Sequence, residues 1–188
     1  MKNVLIIAGS PRKDGNSDLL AQQFAKGAEE AGNSVEIIYV RDLRLGYCIG
    51  CWACLKTGRC FQKDAANDIH AKMLEADVVC FSTPVYYYSV TGQMKTFIDR
   101  MNPLYGVGDQ SGANPRKSMK DKDFYYMVTA VDTDRRQLDR AIDALEGFAD
   151  CFDNIRRCGR IYGGGAEQKG DVMSTPAFTE AYEMGKKV

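Results

Sequence analysis

The stretch 3–20, NVLIIAGSPRKDGNSDLL, constrains the fold more than any other part of the chain. It begins with a short apolar run, 4–8, which is rich in β-branched residues and predicts a strand buried on both faces. A loop containing Gly9 and Gly15 follows, and apolar residues at helical spacing come next. A strand, a glycine-bearing loop and a helix N-terminus in this order present free backbone N–H groups, which favour the binding of a phosphate.

The loop matches neither of the two common nucleotide-binding motifs. Five residues separate Gly9 from Gly15, and Asn16 stands where the Walker motif requires lysine. The GxGxxG pattern is absent from the loop as well, so an ATPase and a dinucleotide-binding domain are both disfavoured. Two interpretations remain, an ordinary strand-to-helix turn with a basic tip and a site for a monophosphate, and we favour the second.

The rest of the chain repeats the alternation of strand and helix. We predict further strands at 34–40, 77–82, 124–130 and 154–162, and further helices at 64–75, 90–101, 134–152 and after an N-cap at Thr175. In the helix 64–75, Ile69, Met73 and Leu74 are expected to face inward, and His70 is expected at the surface or in packing. The polar, glycine-rich stretch 103–121 predicts a long loop. We therefore expect one domain, 1–188, with a parallel sheet covered by helices on both faces.

In such sheets a ligand binds beyond the carboxyl ends of the strands, where the strand order reverses. The loops 10–17, 83–88 and 129–132 should therefore meet at one place. The loop 83–88 carries three tyrosines, which suit a flat ring, and the loop 10–17 suits the phosphate of that ring. FMN is the ligand that fits both loops best.

Composition excludes some partners and directs attention to the cysteines. Lys plus Arg equals Asp plus Glu at 25 each, so nothing favours nucleic acid or a membrane surface as a partner. No apolar run approaches the roughly 20 residues of a membrane span, and the N-terminus fits a strand better than a signal peptide. We therefore expect a cytoplasmic protein whose seven cysteines stay reduced, and clustered cysteines in that setting suggest metal or redox chemistry.

Four of the cysteines lie in an irregular, cysteine-rich insertion at 43–62. Cys48, Cys51, Cys54 and Cys60 have the spacing C-x2-C-x2-C-x5-C, which is similar to the compact runs that hold ferredoxin clusters. A [4Fe–4S] cluster, unliganded or redox-active thiols, and zinc are the alternatives. Zinc is the least favoured, since four ligands packed so tightly depart from its usual spacing.

Three motifs together resemble the NADPH-dependent FMN reductase superfamily. GSPRKDGNSDLL is similar to its phosphate loop, TPVYYYSVTGQMKTFIDR to its flavin-ring segment, and CIGCWACLKTGRC to the corresponding stretch of its iron–sulfur flavoprotein branch. The resemblance implies a flavodoxin-like, three-layer α/β/α fold with a five-stranded parallel sheet in the order 2-1-3-4-5. It also implies FMN as cofactor, NAD(P)H as electron donor, and a homodimer or homotetramer.

The resemblance also assigns roles to residues. Ser10, Arg12, Asn16 and Ser17 would hold the phosphate. The isoalloxazine ring would lie against Pro84, Val85, Tyr86 and Tyr87, with backbone N–H groups at its polar edge, and against Thr129, Ala130 and Val131. FMN carries the chemistry, so no catalytic side chain is needed. The predicted function is an FMN-dependent oxidoreductase that passes electrons from NAD(P)H to a small acceptor such as a flavin or quinone. The alternative is an iron–sulfur flavoprotein that carries electrons from ferredoxin to FMN through a [4Fe–4S] cluster at the four cysteines.

Overall fold

The structure is a computed structural model that describes residues 1–105, 119, 121–153 and 155–188. Five parallel strands form one sheet in the order β2-β1-β3-β4-β5. The predicted topology, with its reversal of strand order between β1 and β3, is therefore confirmed. The strands are β1 Asn3–Ala8, β2 Ser34–Tyr39, β3 Val78–Pro84, β4 Asp123–Thr129 and β5 Arg156–Gly163.

Helices cover both faces of the sheet and complete three layers. Among the described residues they are α1 Asn16–Glu30, α2 Ala53–Thr57, α3 Ala66–Glu75, α4 Gly92–Asp99, α5 Asn102–Tyr105, α6 Arg135–Ala149 and α7 Pro176–Gly185. Two 3₁₀ turns, Val40–Asp42 and Asp171–Ser174, follow β2 and precede α7. The fold is flavodoxin-like, as the sequence predicts.

The continuous apolar run of β1 is explained by burial on both of its faces. Val4, Ile6 and Ala8 pack on one side with residues of α1 and α7. Leu5 and Ile7 pack on the other side with residues of α3, α4 and α6. Because successive side chains of a strand point to opposite faces, a strand between two helical layers needs apolar residues at every position.

The helices α1 and α7 approach each other closely because two glycines lie between them. A Cβ atom at Gly27 would overlap the carbonyl oxygen of Tyr182, and one at Gly185 would overlap that of Phe24. The backbones of the two helices are thus in direct contact. This contact fixes α7, and with it the segment after β5, against the first helix.

Several local predictions differ from the structure. β3 continues through Pro84, which pairs with Thr129 at the last position of the strand, where a missing N–H is tolerated. The prediction that Leu74 faces inward is wrong, because 37% of it is exposed. His70, expected at the surface or in packing, is buried on a stripe of α3 that also contains Ile69 and Met73.

Three further differences concern irregular segments. The insertion 43–62 contains the short helix α2, and the stretch 103–121 begins inside α5. Most of the predicted loop 103–121 lies outside the described residues. Thr175 occupies the N-cap position of α7, but its hydroxyl donates to the Val172 carbonyl at 2.8 Å and makes no cap hydrogen bond.

Candidate functional site

The loops that follow β1, β3 and β4 meet at the carboxyl edge of the sheet and form a pocket, called here the edge pocket. It measures about 580 Å³ and is lined by every residue predicted to contact the cofactor except Tyr87. The segment after β5 adds Ala166, Glu167 and Lys169 to the lining.

One end of the edge pocket is built to receive an anion. The N-terminus of α1 lies at this end. Its N-cap residue is Gly15, which has no side chain that could accept hydrogen bonds from the first N–H groups of the helix. The hydroxyl of Ser17 is buried there and has no hydrogen-bond partner in the described structure. A Cβ atom at Gly15 would lie 3.1 Å from Ser10 Oγ and 3.2 Å from the Arg12 carbonyl oxygen, so glycine keeps this cradle open. An unsatisfied hydroxyl beside uncapped N–H groups fits a phosphate.

Ser10 shapes the loop from within. Its Oγ accepts a hydrogen bond from the Arg12 N–H at 3.1 Å and donates to the Arg12 carbonyl at 3.0 Å. Arg12 is exposed, and both it and Lys169 line the pocket. Two cationic side chains therefore line the same pocket as the helix N-terminus.

The side chain of Asn16 clamps the C-terminal segment onto the loop. Its Nδ2 donates to the carbonyls of Gln168 at 2.8 Å and Ala166 at 3.3 Å. Its Oδ1 accepts from the N–H groups of Gly170 at 3.0 Å and Val172 at 3.3 Å. The amide is thus fully used within the protein, so the phosphate contact of Asn16, which stays a prediction, would have to come from its backbone N–H. The glycine run 163–165, at the same edge of the sheet, was the sequence feature that could have indicated this segment.

The other end of the edge pocket is formed by the ends of β3 and β4. The Val85 N–H donates to the Thr129 carbonyl at 2.8 Å, and the Ala130 N–H to the Gly163 carbonyl at 3.1 Å. The Tyr86 N–H also bonds within the chain, to the Ser89 carbonyl. The N–H groups of Val85 and Tyr86 were expected at the polar edge of a ring, but in the structure they and the Ala130 N–H bond within the chain and hold the walls together.

A strained turn projects from this wall. Tyr86 and Ser89 exchange two backbone hydrogen bonds, at 2.9 and 3.0 Å, around Tyr87 and Tyr88, whose φ angles are +50° and +58°. Positive φ at both central residues is the pattern of a type I′ turn, which aromatic residues rarely occupy and which is often found at functional sites. Tyr86 lines the edge pocket, whereas the Tyr87 side chain is fully exposed and lies outside its lining. A ring contact of Tyr87 stays a prediction.

The four clustered cysteines line a second cavity, called here the cysteine pocket, of about 520 Å³. Burial raises the pKa of Cys54, and the neighbouring thiols of Cys60, Cys51 and Cys48 raise it further. Within the described ranges, no three His, Cys, Asp or Glu side chains are arranged to hold a single metal ion. A cubane cluster distributes its ligands over separate iron atoms, and four thiols spread around one cavity fit that donor set.

Two N–H donors point at sulfurs of the cysteine pocket. Arg100 Nη2 lies 3.3 Å from Cys60 Sγ, and Asn102 Nδ2 lies 3.6 Å from Cys48 Sγ. N–H groups directed at ligand sulfurs are among the features that set the reduction potential of a cluster.

Arg100 also closes the base of the insertion. Its side chain is 1% exposed, binds both carboxylate oxygens of Asp64 at 2.6 and 2.8 Å, and donates to the Gly46 carbonyl at 2.6 Å. Burial acts to raise the pKa of Asp64, but hydrogen bonds from Arg100 and the backbone outweigh it and lower that pKa. His70 Nε2 lies 2.7 Å from the Arg100 carbonyl oxygen, and burial lowers the pKa of His70, so the neutral ring donates this hydrogen bond.

The fold and the edge pocket define the class of protein. Flavodoxin-like sheets with this strand order bind FMN at the switch point between β1 and β3, and the edge pocket lies at that place. The NADPH-dependent FMN reductase family matches residues 2–148, and the chain belongs to this family. The family predicted from the sequence motifs is thereby confirmed.

Relatives of the chain include proteins from the iron–sulfur flavoprotein branch. It is similar to an iron-sulfur flavoprotein of Archaeoglobus fulgidus, with 44% identity over 100 residues that cover 53% of this chain and 45% of the relative. It is also similar to one of Methanocaldococcus jannaschii, with 40% identity over 101 residues that cover 54% and 52%. The chain spans about half the length of these curated relatives.

A solved structure supports the fold over almost the whole chain. An NAD(P)H:quinone oxidoreductase from Methanothermobacter marburgensis matches with a TM-score of 0.76 over 99% of this chain and 95% of the other. Identity is 15%, so this likeness concerns the fold alone. No helix in the described parts of the chain is long and apolar enough to cross a membrane.

Proposed function

We propose that the chain binds FMN in the edge pocket and passes electrons from NAD(P)H through it to a small acceptor such as a flavin or quinone. The observation that carries this proposal is the buried, unpartnered hydroxyl of Ser17 beside an uncapped helix N-terminus. It lies in the same pocket as the aromatic wall of Tyr86. Family membership supports the redox part of the proposal.

When bound, FMN supplies the hydride and electron chemistry. The chain itself positions the cofactor. The α1 N-terminus, Ser17 and the cations of Arg12 and Lys169 would hold the phosphate, and Pro84, Val85 and Tyr86 would support the ring. Because the backbone N–H groups of Val85 and Tyr86 are bonded within the chain, these residues offer the ring flat and apolar surface rather than donors.

Steady-state oxidation of NADPH and NADH tests this function. The protein is loaded with FMN, and turnover is followed with riboflavin or a quinone as acceptor. We expect turnover with at least one nucleotide and a loss of FMN in a variant that crowds the phosphate cradle, Gly15→Val. Bound FMN that neither nucleotide reduces would contradict the donor assignment, and FMN that binds equally well to Gly15→Val would contradict the site.

A second function is favoured by the cysteine pocket. Four thiols around one cavity, with N–H donors at Cys48 and Cys60, support a [4Fe–4S] cluster that relays electrons to FMN. The iron-sulfur flavoprotein names of the relatives agree with it. In this reading the electron donor is ferredoxin, and NAD(P)H oxidation is not required.

Anaerobic purification separates the two functions. A cluster predicts about four irons and matching acid-labile sulfide per chain, lost in Cys60→Ser and kept in the control Cys158→Ser. Cys158 is an exposed thiol outside the cysteine pocket. Clean flavin absorption without iron would leave only the first function. A cytoplasmic location and a homodimer or homotetramer also stay predictions, the second testable by light scattering.

A further inference from the structure

A buried carboxylate lies directly behind the phosphate cradle and has no role in the site described so far. Asp18 is in the first turn of α1, and its side chain is completely buried. Its Oδ2 accepts a hydrogen bond from the Asp14 N–H at 2.9 Å, which holds the end of the loop 10–15 onto the helix. Its Oδ1 has no hydrogen-bond partner in the described structure.

The partner of Asp18 comes from a different part of the fold. Arg41, in the turn after β2, places Nη1 2.8 Å from Asp18 Oδ2. The same nitrogen donates to the Ser10 carbonyl at 3.3 Å. Its guanidinium also stacks over the ring of Tyr39, 4.4 Å from the ring centre, and only 14% of the side chain is exposed. One guanidinium thus contacts the start of the loop directly, at Ser10, and its end through Asp18, which binds the Asp14 N–H.

Burying the Arg41–Asp18 ion pair costs desolvation free energy, and its position affects the binding of a phosphate. Removing two charges from water generally costs more than their attraction returns, so a buried pair is weak evidence for a role in stability. A negative charge in the first turn of α1 would repel a phosphate dianion, and Arg41 offsets that charge. The pair also fixes the loop before the ligand arrives, which lowers the ordering cost of binding.

We propose that the Arg41–Asp18 ion pair is a positioning device that sets the loop 10–18 for the phosphate group of a flavin. The two residues act through the loop and through Ser10, without contact to the ligand. The inference rests on the proposed binding of FMN in the edge pocket. It predicts that the pair matters for FMN and not for riboflavin, which has the same ring and no phosphate.

The test is a comparison of the two flavins in Arg41→Met, which removes the guanidinium and keeps most of the aliphatic stem. Dissociation constants of the full chain are measured by the quenching of flavin fluorescence. We expect the Kd for FMN to rise about tenfold, equivalent to about 1.4 kcal/mol, and the Kd for riboflavin to stay within about twofold. The control is Arg156→Met, which breaks the ion pair between Arg156 and Asp123, 2.5 Å long, at the opposite edge of the sheet. It should leave the dissociation constants for FMN and for riboflavin unchanged.

The outcomes separate this inference from the function on which it rests. If Arg41→Met weakens both flavins equally, or neither, the pair serves the fold alone and the inference is overturned. If the unaltered protein binds neither flavin, the FMN proposal fails and the inference fails with it. Should Arg41→Met not fold, Arg41→Lys keeps the charge but lacks the planar fork. It should then show a smaller, FMN-specific loss, and an equal loss for riboflavin would again overturn the inference.

Discussion

Replacing Ser17 by alanine should make the protein without cofactor more stable and the protein with cofactor less stable. The Ser17 hydroxyl is buried without a partner, and such a group costs about 1–3 kcal/mol of desolvation. After the small loss of packing, we expect the free energy of unfolding of the apoprotein to rise by about 1 kcal/mol. In the complex the same hydroxyl would bond a charged phosphate, and losing that bond should cost about 1.5–3 kcal/mol, or a 10- to 150-fold rise in the Kd for FMN.

Urea unfolding with and without FMN measures both effects. At FMN set to 100 times the Kd of the unaltered protein, binding adds about 2.7 kcal/mol of stability. A tenfold weaker variant would gain only about 1.4 kcal/mol under the same conditions. The unfolding curves of Ser17→Ala and of the unaltered protein should therefore change order when FMN is added.

Ser82→Ala serves as the matched control. The Ser82 hydroxyl is equally buried but has a partner, since it donates to the Ser17 carbonyl at 2.7 Å. Its removal should lower apoprotein stability by about 1 kcal/mol, the opposite sign to Ser17→Ala. If Ser17→Ala destabilises the apoprotein as Ser82→Ala does, and leaves the affinity for FMN unchanged, then the unpartnered hydroxyl is not a phosphate donor and the reasoning is refuted.

Three further predictions concern the fold and the base of the insertion. Burial lowers the pKa of His70, so the unfolded chain binds a proton at this ring more tightly than the folded chain does. The free energy of unfolding should therefore fall as the pH drops below about 6.5, the pKa in the unfolded chain. In urea titrations at pH 5 to 7, His70→Gln should show a weaker dependence of stability on pH. Gly27→Ala should destabilise the protein by several kcal/mol, because the added methyl group would overlap α7. Gly147→Ala serves as the control and should stabilise the protein by about 0.5–1 kcal/mol, since the space around Gly147 is open. Equal Tm values for the two variants would contradict the contact between α1 and α7. Arg100→Met should cost about 3–5 kcal/mol, since Asp64 would remain buried without its partner, and a chemical unfolding midpoint within error of the unaltered protein would count against that account.

The parts of the fold that the sequence predicts are those controlled by local pattern. Apolar runs of strand length, separated by segments with helical periodicity, are sufficient to predict the strands and their parallel arrangement. The meeting of the loops after β1, β3 and β4 then follows from the geometry of a parallel sheet. For this reason nearly all predicted cofactor residues line one pocket.

The remaining features depend on contacts between distant parts of the chain. Nothing in the local pattern pairs Asp18 with Arg41, or directs both ends of the Asn16 amide to the segment 166–172. The sequence predicts the wrong orientation for Leu74, because helical periodicity alone does not show that the buried stripe of α3 contains His70 rather than Leu74. The positive φ angles of Tyr87 and Tyr88 could not be predicted either, because type I′ turns are recognised by glycine or asparagine at the central positions, and the sequence has tyrosine at both.

The hydrogen bonds of Arg100 to Gly46 and Asp64 close the cysteine-rich insertion at its base and separate it from the packing of the sheet and its helices. Its two ends are joined at one buried guanidinium, while Cys48 and Cys51 are exposed. Substitutions among the exposed residues between Gly46 and Asp64 therefore have little access to the core that holds the sheet. On the proposal that the cysteine pocket holds a cluster and the edge pocket holds FMN, a lineage could alter, discard or regain the cluster without rebuilding the sheet that positions the edge pocket.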